Sequence, residues 1–108
     1  MKLHLQHAAY QVVLAENGMH ALRQVYDTPV DVALIDLCLG DEYGITVMEQ
    51  LHHVRPDLPV IIMTASTSPE AAREANQKGA AGYLPKPFQA AELLHTVEQV
   101  VTRSEGNL

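Results

Sequence analysis

The chain has one cysteine, no tryptophan and a single phenylalanine, and aromatic residues make up only 5% of its 108 residues. A lone cysteine, Cys38, excludes an internal disulfide and fits a reducing compartment. With so few rings the core must be aliphatic, and the 47% hydrophobic content supplies enough for one domain. Basic residues are also scarce: seven Lys and Arg against thirteen Asp and Glu leave a net charge of −6. The seven are scattered, from Lys2, Arg23 and Arg55 to Arg73, Lys78, Lys86 and Arg103, so there is no basic stripe for direct nucleic-acid binding. Apolar runs such as Val60–Met63 fall far short of the ~20 residues that a membrane span requires. The start Met-Lys-Leu-His-Leu-Gln-His lacks the apolar core of an export signal, so a cytoplasmic location is expected. No repeat, glycine-rich phosphate loop, zinc pattern or nucleophile elbow is present. Acidic residues are missing from the beginning as well, the first being Glu16.

What is present is an alternation of two hydrophobic periods. Residues 3–8 have helical spacing, and Gln11–Ala15 reads as a short strand. Asn17 is placed to cap a helix over about 18–26, with Ala21, Leu22, Val25 and Tyr26 on its apolar face. Asp27-Thr-Pro29 ends that helix and leads into the strand Val30–Asp36. A loop, Leu37–Gly44, precedes a helix carrying Val47, Met48, Leu51 and Val54, stopped by Arg55-Pro56. The strand Pro59–Thr64 follows. Ser68-Pro69 then signals a helix start and Lys78-Gly79 its end. The last strand is about 81–84, and the last helix runs from about 90 to 103 on Leu94, Val97, Val100 and Val101.

Strands and helices alternating in this way predict an α/β fold: a doubly wound parallel sheet with helices on both faces. Three of the apolar runs close on polar residues: Asp36, Thr64 and, just past the last strand, Lys86. In an open α/β sheet ligands gather at the carboxyl ends of the strands, so the three groups are expected to converge. A carboxylate, a hydroxyl and a cation in one crevice suit the handling of a phosphoryl group, as nucleophile, oxygen donor and charge neutraliser.

The stretch Asp36-Leu-Cys-Leu-Gly-Asp-Glu-Tyr-Gly44, with Ile-Met-Thr-Ala65 and Pro85-Lys-Pro-Phe88, resembles the receiver domain of two-component response regulators. The resemblance covers Leu3 to Val101. It implies a flavodoxin-like (CheY-like) fold and phosphoryl transfer from a histidine kinase or phosphotransfer protein to Asp36. By the same resemblance Lys86 pairs with the acceptor and then with the phosphate, through a Lys-Pro bond that is often cis. Thr64 is the switch hydroxyl, and Tyr83 the aromatic residue that reads its movement. Gly40 stands where proline is usual in the family's loop.

The resemblance is incomplete at its beginning. Receivers open with a strand ending in adjacent acidic residues that hold magnesium, and no such strand precedes Glu16. The expected metal site is therefore only Asp36 and the backbone carbonyl of Cys38, and Mg2+ binding is expected to be weak or absent. Asp41 and Glu42 read as solvated loop charges that could partly replace the missing ligands if the loop folded inward. His52 and His53 are adjacent and point about 100° apart on a helix, so they cannot chelate together. His4 and His7 could, but lack a third ligand. The missing strand would occupy the centre of the sheet. Three outcomes are open: the Gln11–Ala15 strand moves inward, a second chain lends a segment, or the domain is poorly stable alone.

Residues 1–108 are thus expected to form a single, N-terminally abbreviated receiver domain. Only seven residues follow Val101, so no output domain is expected, and signalling would pass to a downstream protein target, with a homodimer possible. The face of the last two helices and the strand between them is the expected output surface. The alternatives are a degenerate receiver acting as a phosphate-independent interaction module, a small flavodoxin-like enzyme or nucleotide binder, which Ala15-Glu-Asn-Gly18 is too short to serve, or a receiver that lost its first strand.

Overall fold

The alternating pattern folds as alternating elements. In the computed structural model, which describes residues 12–14, 17–39, 42–65 and 69–106, the order is β1 (Val12–Leu14), α1 (Gly18–Asp27), β2 (Val32–Asp36), β3 (Cys38–Leu39), β4 (Glu42–Tyr43), α2 (Gly44–Val54), β5 (Val60–Thr64), α3 (Pro69–Gln77), β6 (Gly82–Pro85) and α4 (Ala90–Gly106). The helix expected over residues 3–8 lies outside the described residues. Strand bounds fall within two residues of expectation, while α4 extends three residues further. The loop after Asp36 is more ordered than expected, because β3 and β4 pair as a small antiparallel hairpin.

Among the described residues the main sheet has four parallel strands in the order β1–β2–β5–β6. The expected central vacancy is closed. Val12, Val13 and Leu14 pair directly with Val32, Ala33 and Leu34, so of the three outcomes it is the inward move of the first strand that is seen. The driving force is the ladder itself. An open slot beside β2 would leave buried backbone donors and acceptors unpaired, and a direct β1–β2 ladder satisfies them.

Because successive strand residues face opposite ways, β2 and β5 each feed two cores. Ala33, Ile35, Val60 and Ile62 face a cluster with Ala21 and Val25 of α1, Ile45, Val47, Met48 and Leu51 of α2, and Ala75 of α3. Val32, Leu34, Ile61 and Met63 face the other way, against Leu93, Val97, Val100 and Val101 of α4. Burial on both faces explains why these strands read as unbroken apolar runs rather than alternating ones.

Helix ends obey local chemistry. The Asn17 side chain accepts from the His20 backbone N–H at 2.8 Å, capping α1 as expected. Pro69 is the first residue of α3, and Gly79, at φ +110°, follows its end, a left-handed position that favours glycine. One expected core residue is corrected. Tyr26 is 76% exposed, because the buried line of α1 runs through Gly18, Ala21 and Val25 and Tyr26 is turned about 100° from Val25. On α4 Leu93 is buried as well, and Leu94, half-buried, packs against the same cluster as expected. No helix among the described residues is long and apolar enough to cross a membrane.

Candidate functional site

Asp36 ends β2, Thr64 ends β5, and Lys86 follows β6. The registers put Asp36 opposite Met63 and Thr64 opposite Pro85, so all three meet at one edge of three adjacent strands. Two backbone bonds extend the ladders past the strand ends. Leu37 N–H donates to the Met63 carbonyl at 2.7 Å, and Lys86 N–H to the Thr64 carbonyl at 2.7 Å. Within this frame Lys86 Nζ donates to Asp36 Oδ2, and Cys38 N–H donates to Asp36 Oδ1 at 3.2 Å. The Lys86–Pro87 bond is cis. Thr64 is buried beside the pair.

Asp36 and Lys86 side chains are 29% and 39% exposed. A pair this open contributes little to folding, but it is accessible to a group arriving from solvent. One carboxylate oxygen faces a cation and the other a backbone donor, so a phosphoryl group bonded here would meet positive charge on arrival. Tyr83 lies three residues before Lys86 on β6, half-buried and packed against the α1–α2–α3 core.

The hairpin after Asp36 is fastened at three points, none of which was legible in the sequence. Gly44 N–H donates to the Leu37 carbonyl at 2.6 Å, and a Cβ on Gly44 would stand 2.2 Å from the Asp36 carbonyl oxygen. Only glycine permits that approach. Glu42 is more than a solvated loop charge, since its carboxylate accepts from the Gly18 N–H at 2.9 Å. It thereby sits at the positive end of the α1 dipole. The Tyr43 hydroxyl donates to Glu74 on α3 at 2.6 Å. That bond, aided by desolvation and the nearby negative charge, pushes the Tyr43 phenol up to about 12. Glycine at the first turn of α1 was the only available hint, because it leaves room for an incoming carboxylate.

A hard divalent cation wants six or more oxygens, several of them carboxylate. Among the described residues no group of three His, Cys, Asp or Glu is placed to hold a metal. Both Asp36 oxygens already accept from Lys86 and Cys38, and Glu42 is drawn to α1. The described residues do not fit a complete cation site. Cys38 is exposed, in the hairpin that follows Asp36. His52, half-buried, donates from Nε2 to the Leu58 carbonyl at 3.0 Å, while His53 is exposed.

Comparison with known proteins agrees with this geometry. The family model of the response regulator receiver domain matches residues 1–98. The transcriptional regulatory protein ZraR of Escherichia coli K12 is 37% identical over 97 residues, covering 90% of this chain and 22% of ZraR. The chain therefore spans about a fifth of that relative's length. A CheY-like receiver domain protein from Methanospirillum hungatei superposes with a TM-score of 0.84 at 26% identity, covering 96% of this chain and 83% of its own. A Burkholderia pseudomallei response regulator, solved with a phosphorylated aspartic acid, calcium and citrate, has a TM-score of 0.76 at 25% identity, covering 95% and 61%. Apolar strands that deliver a carboxylate, a hydroxyl and a lysine to one sheet edge, and a family match across most of the length, lead to one conclusion: the chain belongs to the response regulator receiver domain family.

Proposed function

We propose that Asp36 is the phosphoacceptor of this receiver, taking its phosphoryl group from a histidine kinase or phosphotransfer protein. In that step Asp36 Oδ forms a bond to phosphorus as the phosphohistidine P–N bond breaks, and the imidazole leaves with the electron pair and picks up a proton. Lys86 neutralises charge on the incoming group, Thr64 is the switch donor and Tyr83 the readout. The chain is an acceptor that changes state rather than an enzyme that turns over a substrate. The observation that carries this reading is the Lys86–Asp36 contact at the shared edge of β2, β5 and β6.

Receiver domains generally bind a divalent cation in an acidic pocket. Among the described residues Asp36 and the Cys38 carbonyl are the candidates, and affinity for magnesium is weak, because a single carboxylate leaves a hard cation short of charge-assisted ligands. A magnesium titration followed by NMR at Asp36 checks this, and tight binding would show that other residues complete the site. The same incompleteness supports a second reading, a receiver that signals by contact alone.

Intact-mass spectrometry after acetyl phosphate treatment separates the two. The wild type gains one phosphoryl group, and Asp36→Asn does not. An unchanged wild-type mass, on folded protein with magnesium present, would leave only the contact module.

A further inference from the structure

The hairpin that follows Asp36 is too small to hold itself. β3 and β4 have two residues each, with Cys38 paired to Tyr43 and Leu39 to Glu42, and an isolated two-stranded hairpin is marginal in water even when longer. At its base Leu37 is fixed from both sides, by its N–H on the Met63 carbonyl and by its carbonyl under the Gly44 N–H. Beyond Leu37 the hairpin is held through the two residues of β4. Successive side chains of a strand point opposite ways, and these two diverge to different helices. The Glu42 carboxylate accepts from Gly18 N–H at the start of α1, and the Tyr43 hydroxyl donates to Glu74 of α3. Both helices are anchored in the larger core, α1 by Ala21 and Val25 and α3 by Ala75, so each contact ties the hairpin to a fixed body. The Tyr43 phenol, pushed up to about 12, keeps its proton and remains a donor at neutral pH.

What the two ties hold in place is another donor. Cys38 stands across the ladder from Tyr43, and its N–H donates to Asp36 Oδ1 at 3.2 Å. The other carboxylate oxygen faces Lys86. A lysine is a point charge on a flexible stem and follows a carboxylate as it turns. A backbone N–H does not follow, so it is the Cys38 contact that sets the angle of the Asp36 carboxylate.

We propose that Glu42 and Tyr43 are positioning residues for phosphoryl acceptance, tethering the hairpin to α1 and α3 and so keeping the Cys38 N–H on Asp36. The proposal rests on the acceptor reading above and deepens it by naming two residues, away from the Asp36–Thr64–Lys86 edge, on which the aim of the carboxylate depends. Neither touches the transferred group, and both act through the Cys38 N–H. Removing a preorganised donor outright slows a reaction on the order of 10²–10³-fold. Loosening one leaves it in place part of the time, so the expected slowing is roughly three- to tenfold.

The test uses the whole 15N-labelled chain, with acetyl phosphate and magnesium, and follows intact mass against time. Tyr43→Phe, which removes the hydroxyl and keeps the ring, Glu42→Ala and Glu74→Ala each slow the gain of one phosphoryl group roughly three- to tenfold, and the Glu42→Ala, Tyr43→Phe double variant is slower still. Gly18→Ala acts on the same tie from the other side, because its Cβ would stand 2.5 Å from Glu42 Oε2, and it slows the reaction as Glu42→Ala does. Glu42→Gln and Glu74→Gln, which keep an acceptor oxygen, recover most of the rate lost in the corresponding alanine variants. In every slowed variant the Cys38 amide proton moves upfield and exchanges faster with solvent, while the amides of Ile61 and Ile62 keep their wild-type shifts and protection, which a general loss of structure would not spare. A double variant with the wild-type rate, a slowed variant whose Cys38 amide has not moved, or glutamine variants as slow as the alanine ones would each overturn the proposal. A wild type that never gains mass counts against the acceptor reading alone, and the Cys38 amide of the double variant then decides whether the two ties hold that N–H on Asp36.

Discussion

Gly44 and Gly18 offer a matched pair. Each is buried and each is the first residue of its helix, α2 and α1, so replacing either by alanine brings the same gain in helix propensity and the same loss of unfolded-state freedom. The surroundings differ. At Gly44 the new Cβ would meet only backbone: the Asp36 carbonyl oxygen at 2.2 Å, the Leu37 Cα at 2.9 Å and the Asp36 carbonyl carbon at 3.0 Å. These atoms are held by the β2–β5 ladder and by the Leu37–Met63 and Gly44–Leu37 bonds, so relief requires moving the strand end that carries Asp36. At Gly18 the closest atom is the Glu42 Oε2 at 2.5 Å, the far end of a side chain that can swing into solvent. Overpacking against fixed structure costs about 1–3 kcal/mol, whereas displacing Glu42 loses one partly exposed hydrogen bond, about 0.5–1.5 kcal/mol, offset by about 0.4–1 kcal/mol of reduced unfolded-state entropy. With the same entropic offset applied to both, Gly44→Ala is expected to destabilise by about 2 kcal/mol, because its contact is with fixed backbone, and Gly18→Ala to stay within about 1 kcal/mol of wild type. Urea unfolding of both variants under identical conditions measures the difference. Equal midpoints, or a Gly18→Ala chain weaker than Gly44→Ala, would refute the steric argument.

Three further outcomes are expected. Asn17→Ala removes the cap on His20 N–H and lowers stability by about 1 kcal/mol in the same urea assay. In an ultraviolet titration Tyr43 ionises near 12, and Glu74→Gln, which keeps an acceptor but removes the charge, moves it back toward the ordinary value. Because the folded pKa of Tyr43 is raised, its contribution to stability is whole below about pH 10 and is lost as pH rises toward 12. Lys86→Ala changes unfolding stability by less than about 1 kcal/mol, since the pair is partly exposed; it nevertheless blunts the beryllofluoride-induced NMR shift at Tyr83, and an unaltered shift would remove Lys86 from the switch.

Legibility in the sequence followed the range of the interactions. Asp36, Thr64 and Lys86 could be read because each closes its own apolar run, and a parallel sheet gathers such ends by construction. Asn17, Pro69 and Gly79 could be read because a cap is a matter of three or four neighbours. Tyr26 was misjudged by a single residue of helical phase, about 100°, which a short amphipathic pattern fixes poorly when the neighbouring Val25 is apolar as well. The hairpin contacts were out of reach. Glu42 meets Gly18 across 24 positions and Tyr43 meets Glu74 across 31, and no local period records either. The sheet order was left open for the same reason, because register is decided by which ladder best satisfies its backbone groups.

That choice of ladder also decides which strands carry the candidate site. The residues proposed for phosphoryl acceptance sit on β2, β5 and β6, joined by two uninterrupted parallel ladders of four pairs each. The β1 strand pairs only with β2, through the Val32–Leu34 stretch below Asp36, and supplies none of the three groups. Moving β1 inward therefore changes the neighbour of β2 on one side and leaves the Asp36–Thr64–Lys86 edge as it is. The proposed nucleophile, switch donor and charge partner are all carried by the β2–β5 and β5–β6 ladders, so the geometry proposed for phosphoryl acceptance does not depend on β1.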